Sequence, residues 1–271
     1  MENRLQLREQ LQSGLVLVDK EAGPSSFAVV QRVRRLHGAR KAGHAGTLDP
    51  LATGLLLVLL MRATRLARYL VGLDKRYVTE IRLGERTSTG DAEGEVVELT
   101  PSATEDDVRA LLGEPELRVP AASAVKIEGE RAYRLLRRGV AVEMPLRRSQ
   151  IHEIDVRVFA PPRLELALHV SSGTYVRSIA HALGGHCVSL RRTAVGPFSV
   201  EDSDEARLLP PLEAVRFLPR LDLSTEEERR VRAGRALPGA GEGPLALVRD
   251  GELVAVARAG AGVIRPEAVL V

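Results

Sequence analysis

The sequence predicts an α+β chain: a mixed, largely antiparallel central sheet flanked by helices, followed by a small all-β appendage. Three observations carry that prediction. Apolar or alternating stretches interleave with helical ones, yet several strand candidates follow one another directly, as hairpins do. No GxxxxGK[ST] occurs and no GxGxxG opens a helix, which argues against a doubly wound nucleotide-binding sheet. After Leu221 the texture shifts to Gly/Pro-rich segments and short strands. With 271 residues, 44% of them hydrophobic, the chain can bury a sizeable core in one or two domains.

Leu15-Val16-Leu17-Val18 reads as a short apolar strand ending in Asp19-Lys20. Ser25 or Ser26 then caps a helix whose apolar positions are Phe27, Val29, Val30 and Val33, and Gly38 stops it. Gly43, Gly46 and Pro50 keep 43–53 irregular. Leu55–Leu60 is too short and too apolar for anything but a core strand. A helix is expected over 63–71, an alternating strand over 76–83, a polar turn over 87–94 and helices over 104–112 and 130–138. Strands follow over 151–159 and 164–170, a helix over 175–183 and a strand over 195–200. A charged helix over 225–233 precedes the appendage. There Asp250-Gly251 turns a hairpin between 245–248 and 253–257, and Val263-Ile264 and 269–271 add short strands. At roughly 50 residues the appendage would be marginal alone.

One cysteine, Cys187, excludes a disulfide framework and fits a reducing compartment. Residues 1–12 show no signal-peptide pattern and no apolar run is long enough to span a bilayer, so a soluble, cytoplasmic protein without membrane association is expected. Net charge is +3, and only four of the 39 basic residues are Lys (20, 41, 75 and 126). In a chain that writes Arg almost everywhere, a compact ammonium at those places suggests a specific need. Tyr is scarce too, with four in the chain.

Asp49 stands in "GHAGTLDPLATGLLLV" between a Gly-rich loop and the apolar strand. Asp-Pro is a common turn starter. Its neighbours also suit a site: Gly43 and Gly46 admit close backbone approach, His44 offers a donor or acceptor, and Thr47 and Thr53 add hydroxyls. A carboxylate at a buried edge needs a cation, and "GTYVR" supplies Arg177, with Tyr175, at a strand-to-helix junction. Lys75-Arg76-Tyr77 sets an aromatic beside two cations, a combination that stacks a base while neutralising phosphates, or simply an edge strand with charged outer positions. Asp91 in "TSTGDAEG" reads as a turn residue. His181, His186 and Cys187 match no structural zinc spacing, so no metal is expected, and the absence of GxSxG excludes the hydrolase elbow.

Together these stretches resemble the TruB family, the tRNA pseudouridine-55 synthases. "GHAGTLDPLATGLLLV" resembles its catalytic motif and "VDKEAGPSS" its N-terminal Lys-Pro segment. "DKRYVTEIRLGERTSTGDAEG", "VPAASAVKIEGERAYRLLRRG", "VSSGTYVRSIAHALG" and "LRRTAVGPF" resemble, in the same order, the segments that follow. The likeness runs over about 14–200, and the tail from about 222 resembles, more weakly, a short PUA domain, an RNA-binding β-barrel. The resemblance implies a pseudouridine synthase fold, with a catalytic domain over 1–220, an RNA-gripping insertion at about 118–148, and a PUA-like domain over 221–271. It implies Asp49 as the catalytic aspartate, Arg177 as its partner, Tyr77 on the target base, Tyr175 beside the pocket and Leu190 as an apolar wall. His44 would help hold the displaced part of the RNA loop, and Lys20 is grouped with these residues as a brace of the catalytic loop. Lys126, Arg131, Arg134, Arg137, Arg138, Arg147 and Arg148 would meet phosphates of a folded stem-loop. The implied reaction is isomerisation of uridine in the tRNA T-arm loop by base flipping, without a cofactor, by a monomer needing no guide RNA. A non-catalytic RNA-binding or tRNA-folding protein is the alternative. Two departures stand out: Glu21 replaces the usual Pro, and Ala122 stands where an aromatic is often found.

Overall fold

The structure, a computed structural model, describes residues 13–123, 125–127, 129–140 and 142–270, with the backbone alone for Arg137. The reading of residues 1–12 lies outside it, as do the side chain of Arg137 and the last residue of the expected strand 269–271. Among the described residues no helix is long and apolar enough to cross a membrane.

The central sheet contains β1 (Gly14–Lys20), β2 (Ala42–His44), β3 (Thr53–Leu60), β4 (Lys75–Leu83), β5 (Ile151–Ala160), β6 (Arg163–Val170), β7 (Gly185–Val195) and β8 (Phe198–Ser199). Its order is β1-β3-β7-β4-β6-β5, with β2 beside β3 and β8 beside β7. Among the described residues of this sheet only β3–β7 is parallel, and its other pairings are antiparallel. The sheet is therefore mixed and largely antiparallel, as expected.

The wholly apolar run of β3 has a simple cause: both faces of the strand are covered. Leu56, Val58 and Leu60 pack with Val29, Val30 and Val33 of helix α1 (Ser26–Leu36). Leu55, Leu57 and Leu59 point the other way, onto Val248, Val256 and Leu270 of the appendage. All six Leu and Val side chains are fully buried, each worth about 1.5–3 kcal/mol of removal from water. Phe27, expected on the apolar face of α1, is instead 68% exposed. Ser25 is the helix N-cap, its side chain accepting from the Ala28 amide at 3.2 Å.

Two stretches depart from expectation. The strand expected at 195–200 is the end of a longer one: β7 covers Gly185–Val195, a turn at Gly196-Pro197 follows, and β8 holds only Phe198 and Ser199. The helix expected at 63–71 is a 3₁₀ turn, Met61–Leu66, running into a short α-helix, Ala67–Val71. Helix α2 (Val176–Ala182) follows β6 through Gly173, whose φ is +86°.

Beyond α2 the chain builds a second sheet from β9 (Arg220–Asp222), β10 (Leu237–Pro238), β11 (Gly243–Arg249), β12 (Glu252–Gly260) and β13 (Val263–Val269). Its order is β9-β11-β12-β13-β10, a curled half-barrel consistent with a PUA-like unit. The β11–β12 hairpin turns at Asp250 (φ +49°) and Gly251 (φ +82°), as Asp-Gly predicts. Helix α3 (Thr225–Arg232) opens with a Ser224/Glu227 capping box. Because one apolar cluster holds residues of both sheets, the appendage does not depend on its own small core.

Candidate active site

The loop that carries Asp49 is fixed from both sides through its own carbonyl oxygens. From β1, Lys20 Nζ donates to the carbonyls of Pro50 (3.1 Å) and Ala52 (2.6 Å), and to that of Glu21 (2.9 Å). From α1, the Ser26 hydroxyl donates to Leu48 O at 2.8 Å and accepts from Leu48 N at 2.9 Å. From β7, Arg192 donates to the carbonyls of Leu55 (2.8 Å), Gly46 (3.1 Å) and Thr47 (3.4 Å). Lys20 and Arg192 are 0% and 1% exposed, so these donors are shielded from water. Burial lowers the Lys20 pKa, partly opposed by attraction to Asp49. β7 reaches the loop because position 54 is Gly. Gly54 has φ +99°, and a Cβ there would lie 2.2 Å from the Arg192 carbonyl oxygen.

Held this way, Asp49 meets Arg177. Its Oδ2 lies 2.7 Å from Arg177 Nη2, and its side chain is 39% exposed where that of Arg177 is 5% exposed. Arg177 is itself tied down, donating to the carbonyls of Thr89 (2.8 Å) and Ala122 (3.0 Å). A second carboxylate, Asp91, lies 3.7 Å from Arg177 Nη1. Asp91 accepts from the Thr89 hydroxyl at 2.6 Å and the Glu93 amide at 3.2 Å. Asp91 is thus a turn residue, as expected, and in addition a partner of Arg177, which local sequence does not announce.

Asp49 and Arg177 line a cleft of about 670 Å³, as do Tyr77, Tyr175 and Leu190. Tyr77 and Leu190 are each 9% exposed, the first on β4 and the second on β7. Lys75 reaches the same cleft and donates to Val71 O at 2.6 Å and Ser172 Oγ at 3.0 Å. Burial, seconded by the Arg192 charge, pushes its pKa down to about 8. The cleft brings Asp49, Asp91, Lys75 and Arg177 together with Tyr77, Tyr175 and Leu190, a mixture that suits a flat ring joined to a charged, hydroxylated group.

Two of the expected site residues do not line the cleft. Lys20 has no exposed surface and donates to the carbonyls of Glu21, Pro50 and Ala52, the position of a brace for the loop. His44 sits on β2 opposite Val58, outside the cleft lining. Its Nδ1 is buried without a hydrogen-bond partner, and burial followed by the Arg192 charge lowers its pKa. Sequence reasoning missed Arg192 and Ser26. The signal for Ser26 was its adjacency to the cap; for Arg192, the dipeptide of arginines inside a β-alternating stretch. Of the metal-ligand candidates set aside on spacing, Cys187 is buried, and His186 Nδ1 lies 3.1 Å from Glu85 O.

Residues 34–176 match the model of the N-terminal domain of TruB family pseudouridylate synthases. The chain belongs to the TruB family. Proteins named tRNA pseudouridine synthase B are similar along almost the whole length. That of Arthrobacter sp. (strain FB24) is 41% identical, with 94% of this chain and 95% of that one covered. The Thermobifida fusca (strain YX) protein is 43% identical over 94% and 98% of the two chains. The Mycobacterium sp. (strain KMS) protein is 45% identical over 84% and 85%. Among solved structures, a chain of a Cbf5-Nop10-Gar1 complex superposes with TM-score 0.73 at 25% identity, covering 98% of this chain and 87% of its own. As a TruB family member the protein is a pseudouridine synthase, an isomerase.

Proposed function

We propose that the protein isomerises uridine 55 in the T-arm loop of tRNA to pseudouridine, with Asp49 as the group that acts on the ribose. The observation that carries this reading is the 2.7 Å pair of Asp49 and Arg177 at the edge of a cleft walled by Tyr77 and Leu190. The N1–C1′ bond breaks, uracil turns, and C5 bonds to C1′; C5 gives up its proton and N1 gains one. Nothing is oxidised and no group is lost to water, so the residues themselves suffice without a cofactor. An anchored carboxylate serves such a reaction as nucleophile at C1′ or as base on the sugar.

The target nucleotide must first leave its stack, at a cost of a few kcal/mol. Tyr77 offsets much of that, since stacking on an aromatic is worth roughly 1–3 kcal/mol per base, and Leu190 on the neighbouring strand adds an apolar wall. Exposed Lys126, Arg131, Arg134, Arg138, Arg147 and Arg148 of the insertion contact phosphates of the stem-loop. Folded RNA is recognised by shape and backbone, which fits a cationic insertion beside a single-nucleotide cleft. The relatives' names support tRNA as substrate; as part of the same proposal, the chain acts alone in the cytoplasm as a monomer, without guide RNA.

The test is incubation of purified protein with unmodified tRNA transcript and mapping of the modified nucleotide. Pseudouridine at position 55 from the chain alone is expected. Asp49→Asn should bind the transcript within about twofold of wild type while losing at least about 10²–10⁴-fold in rate. Wild-type-like rates from that variant would refute the assignment of Asp49, and tight binding without modification by the unaltered chain would favour a purely RNA-binding role.

A further inference from the structure

Asp74, His152 and His169 meet on the side of the central sheet turned away from the inner core. On β6 the core takes Leu164, Leu166, Leu168 and Val170, so His169 faces outward between the last two. Asp74 immediately precedes β4, and His152 lies on β5. Since β4, β6 and β5 are consecutive in the sheet, the residue before β4 and one residue on each of the next two strands come together. His152 Nε2 is 3.3 Å and His169 Nε2 is 3.7 Å from Asp74 Oδ2. The three donor atoms lie within 4.8 Å of one another. The side chains are 44%, 34% and 27% exposed in the order Asp74, His152, His169, so a solvated ion can reach them.

We propose that Asp74, His152 and His169 bind one divalent transition-metal ion of the zinc type. Two imidazoles with one carboxylate select a borderline cation over magnesium or calcium, which take oxygen ligands. Metal–ligand bonds of about 2.0–2.2 Å in a tetrahedron put donor atoms about 3.3–3.6 Å apart. The two distances to Asp74 are already near that span, and a modest ring rotation brings in the third. Three protein ligands leave the fourth position to water. The bound ion would fasten the start of β4, one residue before Lys75 and three before Tyr77, to the outer strand pair.

One neighbour opposes the ion. Arg76 Nη2 lies 3.3 Å from His169 Nδ1, while its Nη1 bonds Glu153 at 3.0 Å. A histidine bound to metal through Nε2 carries its proton on Nδ1, which would face the guanidinium N–H. Arg76 must therefore turn towards Glu153, and its half-exposed side chain leaves it room to do so. Removing the guanidinium should tighten binding.

The experiment is competition of tag-free, full-length protein with a chromophoric chelator for Zn²⁺, with Mg²⁺ as the comparison ion and Co²⁺ as a visible-spectrum probe. One Zn²⁺ per chain and tetrahedral cobalt bands are expected. His152→Ala and His169→Ala should each weaken affinity by at least the roughly 10–100-fold that loss of an outer-shell partner costs, the double variant should lose binding, and Arg76→Gln should strengthen it several-fold. Zinc should also raise the melting temperature of wild type and leave that of the double variant unmoved. Absence of saturable Zn²⁺ binding, or binding that survives in the double variant, overturns the proposal. Either result leaves the isomerase reading intact, because none of the three ligands lines the cleft.

Discussion

The loop 43–53 and the insertion around 118–148 border one cleft and are held in opposite ways. The loop contributes Asp49 and is fastened by buried donors, Lys20, Ser26 and Arg192, which take up the carbonyls of residues 46, 47, 48, 50, 52 and 55. The insertion contributes Tyr133 and Leu136, and its own core is built on Val119, Ala132 and Met144. Its cations point to solvent, and its pairs, Arg138–Glu130 and Arg148–Glu114, are exposed ones of the kind worth little. The difference fits the two tasks proposed for them. A carboxylate that acts on one sugar carbon must be placed within about half an ångström, so its loop is over-determined. Charges that meet a phosphate backbone need number and reach more than exact position. Arg177 joins the two regions, binding Asp49 in the loop and the Ala122 carbonyl in the insertion. Ala122, a departure from the family pattern, thus supplies a backbone contact that no side-chain change removes.

The largest expected effect is on the loop. Arg192→Met keeps the apolar stem but strips donors from the carbonyls of Gly46, Thr47 and Leu55. With about 1–3 kcal/mol at stake for each buried group left unpaired, urea unfolding should show a loss of about 3 kcal/mol or more. A loop displaced by about 1 Å should cost roughly 10²-fold in single-turnover rate. If that variant melts and reacts like wild type, the buried cation does not hold the loop. Lys20→Met should follow with a smaller stability loss of about 1–2 kcal/mol, since removing a buried charge partly compensates the unpaired carbonyls. Its rate should fall while RNA affinity stays level, separating placement of Asp49 from binding. Equal losses in both would return Lys20 to the substrate contacts.

Much of this contrast was legible in the sequence and some was not, for physical reasons. Asp49, Tyr77, Tyr175, Arg177 and Leu190 each sit in a quotable motif, and all five line the cleft. Nearly all of β7 was not found, although it is the strand between β3 and β4. Two register shifts, at Cys187/Ser189 and Arg192/Ala194, break its alternation, and an inward-facing Arg defeats any rule that places charge outside. Phe27 failed in the other direction: helical spacing promised burial, but the apolar stripe of α1 is filled by Val29, Val30 and Val33. The pairing of Asp91 with Arg177 joins distant segments, and periodicity carries no information about such pairs.

For the insertion the expected effect is on binding alone. Replacing exposed Lys126, Arg134 and Arg147 together by Ala should leave the melting temperature nearly unchanged, since surface substitutions stay within about ±0.5 kcal/mol each. RNA affinity should weaken, and the slope of log affinity against log salt should flatten by about one for each phosphate that is no longer neutralised. Rate at saturating RNA should be kept. A fall in that rate with unchanged salt slope would mean that the insertion positions the nucleotide and does not merely grip the backbone.

The smallest effect probes the layer behind the site. Cys187 is fully buried on β7, its thiol beside the Thr79 hydroxyl, and burial pushes its pKa up to about 12. The unfolded chain loses that proton near the ordinary value of about 8.5, so above it the folded state binds more protons than the unfolded one. Stability from this group is therefore complete at neutral pH and declines as pH rises from about 8.5 towards 12, by at most about 1.4 kcal/mol per unit. Urea unfolding of wild type and Cys187→Ala at pH 7.5, 9 and 10 isolates it, because other titrations cancel in the difference. The alanine variant should be less stable at pH 7.5, having lost packing, and the gap should shrink by about 1 kcal/mol or more by pH 10. A gap that stays constant across that range would mean that the thiol is solvated when folded and that β7 is less tightly covered than its packing against Thr79 indicates.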